Sequence, residues 1–248
     1  MSPTPPTPLG VSVLMPAYQL AAEIAANIDR TVEAFHGVPG VEIIVCDDGS
    51  TDGCRVAAQQ AAARYDNVRV VGYAPNRGKG AALQEAFAAS SGKIVVFLDA
   101  DLDLPPEQVP AFLERQRITG VDVLVGAKQR SMEPGRYPAL RRVLSRAFSL
   151  VTSLLFRLPV DETQTGLKSF RRDTLSQTLP QLQIMRYSFD LELIARINRA
   201  GFSIAAAPVE LSVGASATGV SIRTLWEMAR DTFLIWVRSF SWPKGTPS

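Results

Sequence analysis

The sequence predicts an α/β doubly wound fold, with a mostly parallel sheet flanked by helices, and three observations carry that reading. Short apolar runs alternate with helix-periodic stretches through the first half of the chain. The runs are apolar nearly throughout rather than at every second residue, as strands covered on both faces are. A polar cluster follows almost every run, at the strand end where such folds hold ligands.

The elements follow in order. Strands are expected at Val11–Met15, Val41–Cys46, Val68–Val71, Ile94–Leu98 and Val121–Val125, with helices near 21–35, 53–64, 79–89 and 107–118 between them. The polar clusters are Pro16-Ala-Tyr18, Asp47-Asp-Gly-Ser50, Asn76-Arg-Gly-Lys-Gly80 and Asp99-Ala-Asp101. Beyond residue 140 the pattern changes. A helical stretch from Leu140 to Phe156 mixes arginines with large apolar residues, and Asp161–Phe170 reads as a turn feeding a short strand. Ser188–Arg199 has helical spacing, Ile204–Val213 is strand-like, and Ile222–Trp242 is a last amphipathic helix rich in aromatic residues. One domain over 9–242 is expected. Tails are expected at 1–8, which has four prolines, and at 243–248. The first residues lack the basic start and apolar core of a signal peptide. No apolar stretch reaches the ~20 residues of a membrane span.

Composition removes several function classes. Of 248 residues 46% are hydrophobic, enough for a substantial core, and the net charge of +2 gives no bulk attraction for nucleic acid. Cys46 and Cys54 form no disulfide framework and fit a reducing compartment. The single histidine, His36, sits beside Gly37 at the end of a helical stretch, which leaves neither a hydrolase triad nor a multi-histidine metal centre. Charge is uneven: Arg136, Arg141, Arg142 and Arg146 form a basic arm, while acids gather around 99–107. That pairing suits a metal-bound phosphate donor and an anionic acceptor or membrane surface.

The chemistry is expected to centre on Leu98-Asp-Ala-Asp-Leu-Asp103. A strand there delivers Asp99, Asp101 and Asp103 to one loop, where carboxylates this close repel unless a cation shares them. A hard divalent ion, Mg²⁺ or Mn²⁺, would bridge them to a diphosphate and stabilise it as a leaving group. A solvated acidic loop is the plainer alternative. Asp47 and Asp48 could accept hydrogen bonds from a ribose or base, while Ser50 and Thr51, and in part Asp52, are explained as helix caps. Asn76–Gly80 opens a helix whose backbone N–H groups and Lys79 suit a phosphate, though a simple glycine turn has the same composition.

Together, these segments and Asp161-Glu-Thr-Gln-Thr-Gly-Leu-Lys-Ser-Phe170 resemble the inverting family 2 glycosyltransferases of GT-A fold. Among these the chain is most similar to dolichyl- or polyprenyl-phosphate sugar synthases, in particular the glucosyltransferase branch. The resemblance implies a hexose moved from UDP-glucose or GDP-mannose to a polyprenyl phosphate, at the inner, cytoplasmic face of a membrane. Pro16, Tyr18 and one or both of Asp47 and Asp48 would hold the nucleoside, with Lys79 near the donor. Asp99 and Asp101 would hold metal and diphosphate, with Asp103 a third ligand. Arg141 or Arg142 with Ser145 would receive the acceptor phosphate. Gln164 and Lys168 match the family's D-T-Q-x-G-x-K segment on the acceptor side, with Glu162 in place of its Asp. Asp190 and Glu192 match its F-D-x-E-L helix.

Two departures stand out. Tyr18-Gln19-Leu20 replaces Tyr-Asn-Glu, and Gly214–Gly219 has no cation where a basic Gly-Ser-Lys loop is usual. The Gln-x-x-Arg-Trp signature of processive synthases is absent, which favours transfer of one sugar. An acceptor phosphate needs no strong base, so positioning would dominate, with Asp101 on the metal side. A hydroxyl acceptor would need a base, for which Asp190 is the candidate, and a carboxylate stabilising a helix N-terminus is the alternative role. The arginine-bearing helices could pack on the sheet or meet a membrane interface. A degenerate nucleotide-sugar-binding subunit is the non-enzymatic alternative.

Overall fold

The computed structural model describes residues 10–128, 151–212 and 222–243. Among these residues, seven strands form one sheet in the order β3-β2-β1-β4-β6-β5-β7. They are β1 (Val11–Ala17), β2 (Val41–Asp48), β3 (Val68–Tyr73), β4 (Ile94–Leu98), β5 (Val123–Lys128), β6 (Leu167–Arg171) and β7 (Ile204–Val209). β6 alone runs antiparallel to its neighbours β4 and β5, and the other described pairings are parallel. The expected mostly parallel α/β sheet is therefore what forms.

Alternate residues of the inner strands feed two separate cores, which is why those strands read as unbroken apolar runs. Val13, Met15, Ile43, Val45, Val96 and Leu98 face one layer. That layer is built by α1 (Ile24–Ala34), α2 (Cys54–Ala62) and α4 (Val109–Thr119). Leu14, Ile44, Val95 and Phe97 face the other. There α3 (Lys79–Ala88), α6 (Arg172–Thr178), α7 (Phe189–Arg199) and α8 (Ile222–Ser239) pack. The described part of α5 is residues 151–156. Phe97 lies 4.7 Å from Phe170 and 6.4 Å from Phe189, ring centre to ring centre, joining β4, β6 and α7. Each such fully buried ring stabilises the fold by about 1.5–3 kcal/mol. Cys46 and Cys54 are free and buried in opposite cores.

Several boundaries moved for local reasons. β1, β2 and β3 each run two residues longer than expected, because ladder pairing continues into the polar ends as far as Ala17–Asp47 and Asp48–Tyr73. α4 is preceded by a 3-10 turn at Pro106–Gln108 and stops at Gly120, whose φ of +69° favours glycine. α6 was not expected: a polar seven-residue helix directly after a strand has too short a period to read. Ser50 and Thr51 do not cap α2, whose N-cap is Gly53. Ser50 Oγ accepts the Gln19 N–H instead, and Gln19 Oε1 accepts the Thr51 and Asp52 N–H groups. Gln19, a departure from the family pattern, thus ties the loops after β1 and β2 together. The expectations for residues 1–8, Arg141, Arg142, Ser145 and Gly214–Gly219 concern residues outside the described ones, as do those for all of 243–248 but Pro243.

Candidate functional site

The sheet changes direction of winding between β1 and β4, and the crevice beyond their carboxyl ends is where this architecture holds ligands. β4 delivers Asp99 there. Because β6 is antiparallel, its beginning lies at the same end, with Lys168 opposite Phe97 and Leu167 opposite Leu98. α3 brings Lys79 at its first residue and α7 brings Asp190 in its first turn.

These four side chains form a ladder of alternating charge. Lys168 Nζ donates to Asp190 Oδ1 at 2.8 Å and to the Thr165 carbonyl. Asp190 Oδ2 stands 3.9 Å from Lys79 Nζ, which lies 2.6 Å from Asp99 Oδ1. That last approach is an ion pair off the line of a hydrogen bond, so Asp99 Oδ1 is paired in charge without a directed donor. Burial opposes the charged form of Lys79, but Asp99 and then Asp190 outweigh it and raise its pKa. For Lys168 burial wins and the pKa is lowered, despite Asp190. A Cβ on Gly166 would collide with the Asp99 carboxylate, so glycine there admits the close approach.

Asp47 and Asp48 are adjacent yet opposite in role. Asp48 Oδ1 accepts from Tyr73 Oη at 2.8 Å, Arg77 N at 2.8 Å and Gly78 N at 3.1 Å. Its Oδ2 accepts from Asn76 Nδ2 at 2.8 Å and Gly78 N at 2.9 Å. Asp48 is therefore occupied in holding the Asn76–Gly78 turn that presents Lys79, and has no oxygen left for a nucleoside. Gly78, at φ +100°, rests against the Met185 carbonyl, and Gly80 N donates to that same oxygen at 2.9 Å. Glu192 fixes this opposing segment by accepting from Gln183 N and Ile184 N. Asp47 is also buried, but among the described residues its Oδ1 has no partner, while Oδ2 accepts the Ser50 N–H at 3.2 Å. A buried carboxylate oxygen without a donor is costly unless a ligand supplies one. Tyr18 is exposed beyond β1, and Pro16 is half-buried within it, opposite Cys46.

The expected three-carboxylate metal set is not gathered: among the described residues no group of three or more His, Cys, Asp or Glu is placed to hold a metal. Leu102 takes a positive φ of +51°, strained for a bulky residue, and buries its side chain. Asp101 keeps a solvent-exposed edge, and its Oδ1 accepts the Asp103 N–H at 3.2 Å. Asp99 and Asp103 instead line a cavity of about 60 Å³ with Leu104, Lys128, Gln164 and Gly166. The residues still fit a hard cation. The ammonium against Asp99 shows that the loop accepts positive charge, and Mg²⁺-type ions use one or two carboxylates with phosphate oxygens and water. The carboxyl of Asp101 is pushed up, first by partial desolvation and then by the neighbouring Asp99 charge, which Lys79 offsets only in part.

Of the acceptor-side residues, Gln164 lines the cavity and donates to the Tyr187 carbonyl at 3.1 Å. Lys168 is wholly buried beneath Asp190, so it reaches an acceptor only through that carboxylate. Lys128, at the end of β5 and 3.9 Å from Glu162, was missed. Its signal was available in the rule that pointed to the other four strand ends. The larger surface hollow, about 390 Å³, lies at the opposite end of the sheet around Glu42 and Arg69.

Carboxylates at strand ends, a lysine opening a helix and a Gly-x-Lys segment below them recur together over residues 12–179, the span matched by the profile of glycosyl transferase family 2. The chain belongs to this family. A glycosyltransferase of Haloferax volcanii, AglD, is 31% identical over 203 residues, covering 81% of this chain and 32% of that protein. The dolichyl-phosphate beta-glucosyltransferase of Drosophila melanogaster is 25% identical, covering 93% and 75%. A further relative, dolichyl-phosphate beta-glucosyltransferase ALG5C of Trichomonas vaginalis, is matched over 64% of its length, so the chain spans less than two thirds of some family members it resembles. Among solved structures, glucosyl-3-phosphoglycerate synthase of Mycobacterium tuberculosis is similar. Its complex with Mn²⁺, UDP and glucosyl-3-phosphoglycerate superposes with a TM-score of 0.68 at 25% identity, covering 95% of this family member and 81% of that chain.

Proposed function

We propose that this protein transfers a hexose from a nucleoside diphosphate sugar to a polyprenyl or dolichyl phosphate with inversion, aided by Mg²⁺ or Mn²⁺. UDP-glucose is the first-choice donor and GDP-mannose the second. The observation that carries the reading is the joint position of the open Asp47 oxygen and the Asp99–Lys79–Asp190 ladder at one strand-end crevice. Asp47 and Tyr18 would take the nucleoside. Lys79 would meet the diphosphate, and Asp99 with Asp101 or Asp103 would hold the metal. A divalent cation there supplies positive charge that stabilises the departing diphosphate. The acceptor phosphate oxygen attacks the anomeric carbon as the bond to the nucleoside diphosphate breaks, and the electron pair leaves with the diphosphate.

The acceptor assignment draws support from two sides. Relatives named for dolichyl phosphate match most of the chain. Asp190, the candidate base for a hydroxyl acceptor, is nearly buried with both oxygens turned to ammonium groups, which leaves little of it open to a hydroxyl. Arg141 or Arg142 with Ser145, and Gln164 and Lys128 beside the cavity, would receive the acceptor phosphate. Such a phosphate sits at a bilayer surface, and no described helix is long and apolar enough to cross a membrane.

A transfer assay tests the whole reading: UDP-glucose and GDP-mannose, each with polyprenyl phosphate or a simple sugar, in Mn²⁺ or in EDTA. Metal-dependent product on polyprenyl phosphate is expected. Product only on the sugar hydroxyl would replace the acceptor, and donor binding without any transfer or hydrolysis would support a binding subunit.

A further inference from the structure

The loop that carries Asp99, Asp101 and Asp103 holds a shape that its own residues do not favour. Leu102 sits at φ +51° with its side chain buried. A bulky residue keeps such a backbone only where its surroundings fix it from several sides. Two groups from distant parts of the chain do so. Ser212, beyond the end of β7, donates its hydroxyl to the Leu102 carbonyl at 2.7 Å and its N–H to the Asp103 carbonyl at 2.8 Å. Asn27 of α1 donates its Nδ2 to the Ala100 carbonyl at 2.8 Å. Ser212 is held in place in turn. Gln108 Nε2 donates to the Glu210 carbonyl at 3.2 Å, and Glu210 N donates back to Gln108 Oε1 at 3.0 Å. The carbonyl that accepts the Ser212 hydroxyl shares one rigid peptide plane with the Asp103 N–H. That N–H donates to Asp101 Oδ1 at 3.2 Å. Pinning one side of the plane therefore aims the donor on its other side, and the donor holds the Asp101 carboxylate.

We propose that Ser212 is a positioning residue for the carboxylate loop, setting the direction of the Asp101 carboxylate through the Leu102–Asp103 peptide. Asn27 acts likewise from α1 on the Ala100–Asp101 peptide, so the backbone is held on both sides of Asp101. The proposal rests on the reading of this loop as a metal site and deepens it. A small hard cation demands near-octahedral geometry and takes only one or two carboxylates, so a carboxylate turned aside by a flipped peptide leaves the coordination short. Groups that orient a ligand without touching the ion change its affinity by about 10–100-fold. Asn27 lies 73 residues before Ala100 and Ser212 lies 110 after Leu102, so only the packing of α1 and of the segment after β7 brings them to the loop.

Two measurements on the full chain test this. Without metal or nucleotide, amide hydrogen exchange at Leu102 and Asp103 should be about fivefold faster in S212A than in wild type, as expected for one lost hydrogen bond. With UDP present, Mn²⁺ affinity read by electron paramagnetic resonance should fall about tenfold in S212A and in N27A. S212T keeps the hydroxyl and should bind Mn²⁺ within about twofold of wild type. Because Ser212 acts through Asp101, S212A added to D101A should weaken Mn²⁺ no further than D101A alone. S12A removes a buried hydroxyl from the Glu42 cluster at the opposite end of the sheet and should leave Mn²⁺ affinity unchanged, which separates lost stability from lost aim. Unchanged exchange at Leu102 in S212A, unchanged Mn²⁺ affinity, an equal loss in S12A, or an additive loss with D101A would each overturn the proposal. If the wild-type UDP complex binds no Mn²⁺, the metal reading falls instead, and the exchange rates alone decide whether Ser212 holds the loop.

Discussion

Replacing Asp48 and Asp47 separately by asparagine should give opposite outcomes, although the two are neighbours on one strand. An asparagine at 48 has one acceptor oxygen. If it keeps the contacts of Oδ1 with Tyr73 and Arg77, its amide group faces Asn76 Nδ2 and Gly78 N, donor against donor. One charge-assisted hydrogen bond is lost outright and the others lose their ionic partner, at about 1.5–3 kcal/mol for a bond to a charged group. Asp48→Asn should therefore cost about 2–3 kcal/mol in urea unfolding, with weaker donor binding following from a displaced Lys79. Asp47→Asn removes a buried charge that has one weak intrachain bond, so without donor the stability should be unchanged or should rise. The same change removes the open acceptor, and UDP-sugar affinity by calorimetry should fall by about tenfold or more. An Asp48→Asn protein as stable as wild type, or an Asp47→Asn protein that binds donor normally, would refute the division of roles.

Three further outcomes are expected. Lys168→Met strips Asp190 of its nearer cation inside the protein. Breaking such a pair costs about 3–5 kcal/mol, here at the low end because Lys79 remains 3.9 Å away. A loss under about 1 kcal/mol in chemical denaturation would contradict the ladder. Asp101→Asn should leave unfolding unchanged and weaken Mn²⁺ binding to the nucleotide complex, read by electron paramagnetic resonance; unaltered Mn²⁺ affinity would remove Asp101 from the metal side. At Glu42 burial raises the carboxyl, but hydrogen bonds from Ser12, Ser91 and Arg69 overcome it and hold the pKa below the ordinary value. The unfolded chain then binds the proton first, so this stabilisation is complete above the ordinary glutamate pKa and disappears as pH falls through the lowered folded one. Glu42→Gln should flatten that acid-side slope in urea midpoints, and an unchanged slope would exclude Glu42 as its source.

Residue periodicity alone determined the order and type of the strands and helices up to residue 125, because runs feeding two cores must be apolar throughout. It also located the crevice, since polar residues that interrupt such runs can only sit at strand ends. Pairing was beyond its reach. The antiparallel course of β6 sets Lys168 beneath Asp190, and five residues of sequence carry no sign of strand direction. Nor could the sequence separate Asp47 from Asp48. Alternation along β2 sends the two side chains to opposite faces, and the Asn76–Gly78 turn, folding back over one face, saturates Asp48 and leaves Asp47 open. The motif showed that the carboxylates were close, while only the folded loop, with Leu102 at positive φ, shows Asp99 and Asp103 lining the cavity and Asp101 exposed. Local pattern fixes which groups reach a strand end; long-range packing decides which of them keep an atom free for a ligand.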